Sequence, residues 1–167
     1  SFVRSTGAAI LNFTNNTTNF SMATLGFDQS VVYNFPTGFT FDFYGTGYTS
    51  CFVSANGFVS FGAADTGFGN PTIPSIRSGV GRIMSFYTDL EPPATPLSMQ
   101  PRVFAHSYSD QGVTKVEIVH ENLVEWGMYT GPHGGRITLS QNGDIDVYVP
   151  PFNTPSTLNN TVVGITP

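Results

Sequence analysis

The chain has 167 residues, of which 10% are charged and 14% aromatic, and its net charge is -5 with Lys115 as the only lysine. That balance leaves no basic surface for a phosphate backbone or an anionic bilayer, and no apolar run approaches the roughly 18 residues of a membrane-spanning helix. Nucleic acid and membrane insertion are therefore excluded as expected partners. Abundant Gly, Thr, Ser, Asn and Phe, with few of the charged residues that favour solvent-facing helices, predict an all-β protein of one compact domain.

Residues 1–30 differ in character from the rest of the chain. Residues 8–13 read as a strand, and residues 12–21 as a polar Asn/Thr-rich loop of low complexity. Residues 1–20 lack the basic start and apolar stretch of a signal peptide, so a secreted form would carry this chain after removal of its leader. Asn12, Asn15, Asn16, Asn19 and Asn159 each begin an Asn-x-Ser/Thr sequon. Four of them crowd into ten residues, which predicts a glycosylated surface. Cys51 has no partner cysteine, so no internal disulfide forms and the thiol does not report the compartment.

From Val31 the strand signal sharpens. Phe39, Phe41 and Phe43 alternate with Thr40 and Asp42, as in a half-buried strand. Residues 48–61, YTSCFVSANGFVSF, read as a β-hairpin around Asn56-Gly57, a pair suited to a type I′ turn. Both faces of this hairpin carry apolar groups, which places it in the middle of a layered structure. Residues 62–81 are rich in Gly and Pro and read as a long surface connection. Residues 82–87 form a further strand, stopped by the prolines of residues 88–96. Residues 102–108 and 113–120 pair across Ser109 to Gly112, with strand resuming at 123–126 after a bulge. Residues 136–140 and 144–149 pair across Asn142-Gly143, and residues 161–165 close the chain. About a dozen short strands with frequent turns predict an antiparallel two-sheet β-sandwich of jelly-roll-like type.

The ordered set FTFDFYGTGYTSCFVSANGFVSFG, FYTDLEP, VEIVHENLVEWG, ITLSQNGDIDVYV and TVVGI resembles the nidogen-like modules of extracellular proteins, including those of plexin-domain-containing proteins and bacterial surface proteins. The likeness covers residues 35–165, which divides the chain into an N-terminal segment, 1–30, and a sandwich, 31–167. Bacterial modules carry Trp where this chain has His120. The resemblance implies an extracellular, non-catalytic sandwich used in adhesion or matrix architecture.

Side-chain chemistry agrees with that implication. His106, His120 and His133 fall on apparent strands or in a Gly-rich loop, and Cys51 sits in the core hairpin, so no nucleophile and base pair is predicted. No residue is assigned as catalytic, cofactor-binding or metal-binding. Ca2+ is the one cofactor left open, because Asp89 with Glu91 and Asp144 with Asp146 are spaced i, i+2 on extended backbone. Glu121 and Glu125 are further carboxylates to weigh for glycoside hydrolysis. Tyr44, Phe68, Trp126 and Tyr129 lie at strand ends or in loops and could stack on sugar rings. The expectation is a glycosylated structural or adhesive subunit at the cell surface or outside the cell, partnered by itself or other surface proteins through residues 1–13. The alternative is a carbohydrate-binding module of a larger secreted protein.

Overall fold

The computed structural model describes residues 18–20, 28–68, 76, 79–91, 102–126, 133–149 and 161–167. Strand β1 (Thr18–Phe20) precedes β2 (Ser30–Asn34), the hairpin β3 (Phe41–Phe43) and β4 (Thr46–Tyr48), and the central pair β5 (Ser50–Ser54) and β6 (Phe58–Ser60). Next come β7 (Arg82–Tyr87) and the short β8 (Leu90–Glu91), then β9 (Arg102–Asp110) and the long β10 (Val113–Glu125). Strands β11 (His133–Ser140), β12 (Ile145–Tyr148) and β13 (Val162–Thr166) complete the chain. One antiparallel sheet has the order β1-β9-β10-β11-β12, with β8 beside the far end of β10, and the second has the order β13-β7-β6-β5-β2. The two pack face to face as the expected all-β sandwich.

Period-2 alternation explains which side chains meet. In the first sheet Ala105, Ile118, Ile137 and Val147 form one cross-strand row facing the second sheet, and Val116, Leu139 and Ile145 form the next. In the second sheet Val31, Val53, Val59 and Ile83 form the facing row. Phe41 and Phe43 of the β3–β4 hairpin stack on Phe61 at centroid distances of 5.7 and 4.5 Å and belong to the same core. Fully burying each such ring is worth about 2–3 kcal/mol.

Turn chemistry departs from expectation. The positive φ pairs of a type I′ turn occur at Tyr44-Gly45 (51° and 80°) and Gln111-Gly112 (50° and 81°). At Asn56-Gly57 only the glycine is left-handed, at 79°. Likewise Gly143 alone is left-handed between β11 and β12, where the N–H groups of Ser140 and Gly143 are bonded to the carbonyls of Asp144 and Ser140 in a three-residue turn. Register explains the first case: Val53 faces Val59, so the reversal takes five residues rather than two. The N-terminal polar run also contains strand: Thr18–Phe20 pairs with Val103 to Ala105 of β9, because an edge strand satisfies its backbone through one neighbour whatever its side chains. Residues 8–13 lie outside the described residues.

The Gly-rich connection does more than cross the surface. Ile76 covers Phe58, Met84 and Tyr87 on the outward face of the second sheet, forming a second small core. Arg82 anchors it by pairing with Asp65 and by donating to the Ile76 carbonyl at 2.9 Å, and both charged side chains are nearly buried.

The Asn56-Gly57 turn meets β7 at a bulge. The N–H groups of Ser85 and Phe86 both donate to the Gly57 carbonyl, each at 3.1 Å, so two residues of β7 oppose one. The extra residue turns Phe86 into the main core, stacked on His133 at 5.2 Å, and returns Tyr87 to the outward face against Phe58 at 4.7 Å. A Cβ at Gly57 would overlap the Phe86 carbonyl, whereas one at Gly143 would meet open space. Both glycines are left-handed, so Gly143→Ala is expected to cost about 1 kcal/mol of backbone strain. Gly57→Ala is expected to cost well over about 2 kcal/mol, since the bulge must also open. Urea unfolding of the two variants side by side checks the difference.

Candidate binding end

Asn56 is fully buried, and its amide uses three hydrogen bonds to gather separate segments at one end of the sandwich. Its Nδ2 donates to Asp28 Oδ1 at 3.0 Å and to the Gly67 carbonyl at 3.1 Å, and its Oδ1 accepts from the Leu90 N–H at 2.9 Å. Next to Gly67 stands Phe68, 64% exposed; next to Leu90 stands Asp89, whose carbonyl accepts from the N–H of Trp126, 60% exposed. Thus two of the loop aromatics expected as sugar platforms, and one of the expected carboxylates, are fixed by a single amide. Tyr87 lies beneath, with its hydroxyl against the backbone of Gly67. Burial first, and then the negative charge of Asp65, raise the Tyr87 phenol above its ordinary value; Arg82 opposes them, while Asp28 and Asp89 add to the rise. The phenol therefore remains a neutral donor near three carboxylates.

The other expected residues are scattered. Tyr44 is 64% exposed on the separate β3–β4 turn, and Tyr129 lies outside the described residues. Glu121 pairs with Arg102 at 2.6 Å on the surface, while Glu125 is buried against His133 at 3.3 Å, so the two carboxylates serve different partners. Asp144 accepts from Asn142 Nδ2 at 2.8 Å within its turn. Among the described residues no group of three or more His, Cys, Asp or Glu could hold a metal ion. Of the five sequons only Asn19 is described, and its backbone lies in β1 opposite Phe104; Asn12, Asn15, Asn16 and Asn159 lie outside the described residues.

A second polar group occupies the outward face of the first sheet. Glu117 accepts from Thr138 at 3.2 Å and has Arg136 at 3.5 Å and His106 at 3.4 Å. Burial raises the Glu117 carboxyl despite Arg136 and Thr138, and burial followed by Arg136 lowers His106. Those directions make the His106–Glu117 contact one between a neutral imidazole and a carboxylate held by arginine, rather than an ion pair. The His106 ring stacks between Phe104 and Tyr108 at 5.9 and 5.7 Å, and Arg136 lies 4.8 Å over Tyr148.

Sequence reasoning read Asn56 only as a turn residue and passed over Asp28, Asp65 and Tyr87 as parts of a site. The available signal was the small pair Ser54-Ala55 ahead of Asn56, which interrupts the alternation of large apolar residues where an exposed turn would need no room. His120, expected on a strand, is buried between the sheets, and its Nε2 lies 2.8 Å from the Ser54 carbonyl. That geometry requires Nε2 to carry the proton and donate.

Burial lowers His120 to about 4, with the Ser54 contact opposing. The unfolded chain, with an ordinary imidazole near 6.5, binds this proton first. Stability is therefore full above pH 6.5 and falls as pH drops towards 4, by about 2–3 kcal/mol at pH 4.5 from this group alone. His120→Gln retains a donor for Ser54 and cannot titrate, so its urea midpoint should change with pH by that much less than the parent's. Equal pH dependence in both proteins would assign the acid sensitivity to other groups.

A family model described as NIDO related matches residues 2–101. The matched span takes in the N-terminal segment as well as the Asn56 turn and everything it ties together up to β8, and it stops before β9. No curated protein and no solved structure matches the chain. With well over half of its length matched, and with the ordered motifs of a nidogen-like module folded as a β-sandwich, the chain belongs to the NIDO-related family.

Proposed function

We propose that this chain is a non-catalytic structural or adhesive module that assembles with like subunits outside the cell. Its family suggests an extracellular module. The observation that carries the reading is the use the fold makes of its reactive groups. Cys51 is fully buried, and its thiol is pushed up by burial, away from the thiolate a nucleophile needs. His120 is neutral and bonded to backbone, His133 stacks on Phe86 beside Glu125, and Glu117 is held by Thr138 and Arg136. Each of these groups takes part in packing, which leaves loop ends, sheet edges and glycans to meet a partner. Glycosylation at Asn12, Asn15, Asn16, Asn19 and Asn159, and subunit contact through residues 1–13, are part of this proposal.

Phe68 and Trp126 favour a second reading, a carbohydrate-binding module. Two exposed aromatic rings anchored through one amide, with Asp89 between their tethers, suit the apolar face of a pyranose and its hydroxyl groups. Negative-stain electron microscopy of the purified protein near neutral pH separates the readings. The structural reading expects regular filaments or sheets, and loss of order on deletion of residues 1–13; dispersed particles at high concentration would overturn it. The binding reading expects retention on a polysaccharide column that falls at least tenfold in Trp126→Ala. A parent protein that passes unretarded would dispose of it.

A further inference from the structure

The second sheet extends beyond the first at β13. Ile165 pairs with Ile83, and Val163 lies on the same face, so both side chains point to the side that elsewhere forms the core. Yet Val163 is 46% exposed and Ile165 40%, and neither joins either core cluster. The cause is the offset of the layers: β11 and β12 pack across β7, the neighbour of β13, and β12 is the last strand of its sheet. Ile145 and Val147, the inward residues of β12, are only partly buried. Two apolar rows thus border a seam that no described residue fills. Among the described residues no strand pairs with the outer edge of β13.

Proteins protect such edges with Lys, Pro within the strand or inward-pointing charge. Residues 161–166, TVVGIT, have none of these. We propose that the β13 edge is an isologous interface in which a second copy of this chain pairs antiparallel with the first, β13 against β13, about a two-fold axis at Gly164. The absence of charged side chains from residues 161–166 selects this occupant, because two copies of a chain with net charge -5 meet here without like-charge contact. Self-complementarity does the rest: with Gly164 opposite Gly164, Val163 of each copy faces Ile165 of the other, on the exposed apolar face. A Cβ at Gly164 would meet nothing within 4 Å. This contact rests on the self-assembly reading and is separate from the contact assigned to residues 1–13.

Analytical ultracentrifugation of the full chain tests it, with circular dichroism and thermal melting to verify folding. The parent is expected to show a concentration-dependent dimer, and Val163→Lys, at a half-exposed position, to weaken it at least tenfold with an unchanged melt. Gly164→Cys is expected to form an interchain disulfide on mild oxidation, since directly opposed residues in an antiparallel pair lie within disulfide reach; Cys51 is buried and does not compete. If the parent associates and Val163→Lys associates equally, with Gly164→Cys uncrosslinked, the β13 interface is wrong and the assembly reading stands. If the parent is monomeric throughout, both fall.

Discussion

The fold depends on the contact between the Gly57 carbonyl and two successive N–H groups of β7. That contact can form only because Gly57 has no Cβ and can adopt a left-handed φ, so the backbone of the turn lies against the backbone of Phe86. Its first consequence is the bulge, and the bulge sets the facing of the residues beyond it. Phe86 enters the main core and Tyr87 the second core, so one inserted residue supplies an aromatic anchor to each. Its second consequence is the burial of Asn56, whose amide must then find three partners inside the protein. It finds them in Asp28, Gly67 and Leu90, segments with no regular hydrogen bonding to one another. A local backbone requirement thus becomes the organiser of one end of the molecule.

Polar groups in the interior obey the same requirement for partners. A histidine between two sheets is tolerable when neutral, with its one N–H on a backbone carbonyl, and His120 meets that condition at Ser54. An arginine is tolerable when its fork is filled, and Arg82 fills it with Asp65 and the Ile76 carbonyl. The two arrangements respond differently to acid. The histidine destabilises the fold as soon as the unfolded chain can take up its proton, whereas the guanidinium keeps its charge at any ordinary pH.

The sandwich class, the strand at residues 82–87 and the central hairpin were legible because β-branched and aromatic residues at period 2 carry their own signal. The positions of the left-handed residues were not. Asn-Gly marks a chain that can reverse tightly, but register decides whether it does, and register was set by Val53 meeting Val59 across a bulge partner distant in sequence. Tyr44 and Gln111, poor candidates by composition, take positive φ because the two-residue connections of their hairpins force it. For the binding end, exposure of Phe68 and Trp126 could be guessed from their loop setting. Their shared attachment to Asn56 could not, because it is built from hydrogen bonds between segments 11 to 34 residues apart. Thr18–Phe20 carries no strand signal for a related reason, since edge pairing is a property of the backbone.

The bulge also shifts the register beside the open edge. Between Val162 and Gly164 the register of β13 against β7 shifts, with Val162 opposite Tyr87 and Gly164 opposite Met84. Val162 accordingly joins the second core on the outward face, and the next inward residues, Val163 and Ile165, fall where no described strand of the first sheet covers them. Were β7 regular, alternation would run unbroken from Met84 to Tyr87 and Phe86 would leave the main core, whereas Val163 and Ile165 would keep their facing, which Ile165 takes from Ile83 ahead of the bulge. The Asn56-Gly57 turn therefore acts on the end of the molecule and on the core rather than on the β13 edge. It ties the segments of Phe68 and Trp126 together through Asn56, and it brings Phe86 into the main core through Gly57. A fold whose aromatic end and core anchor depend on one buried turn keeps both while that turn is closed and loses both when it opens.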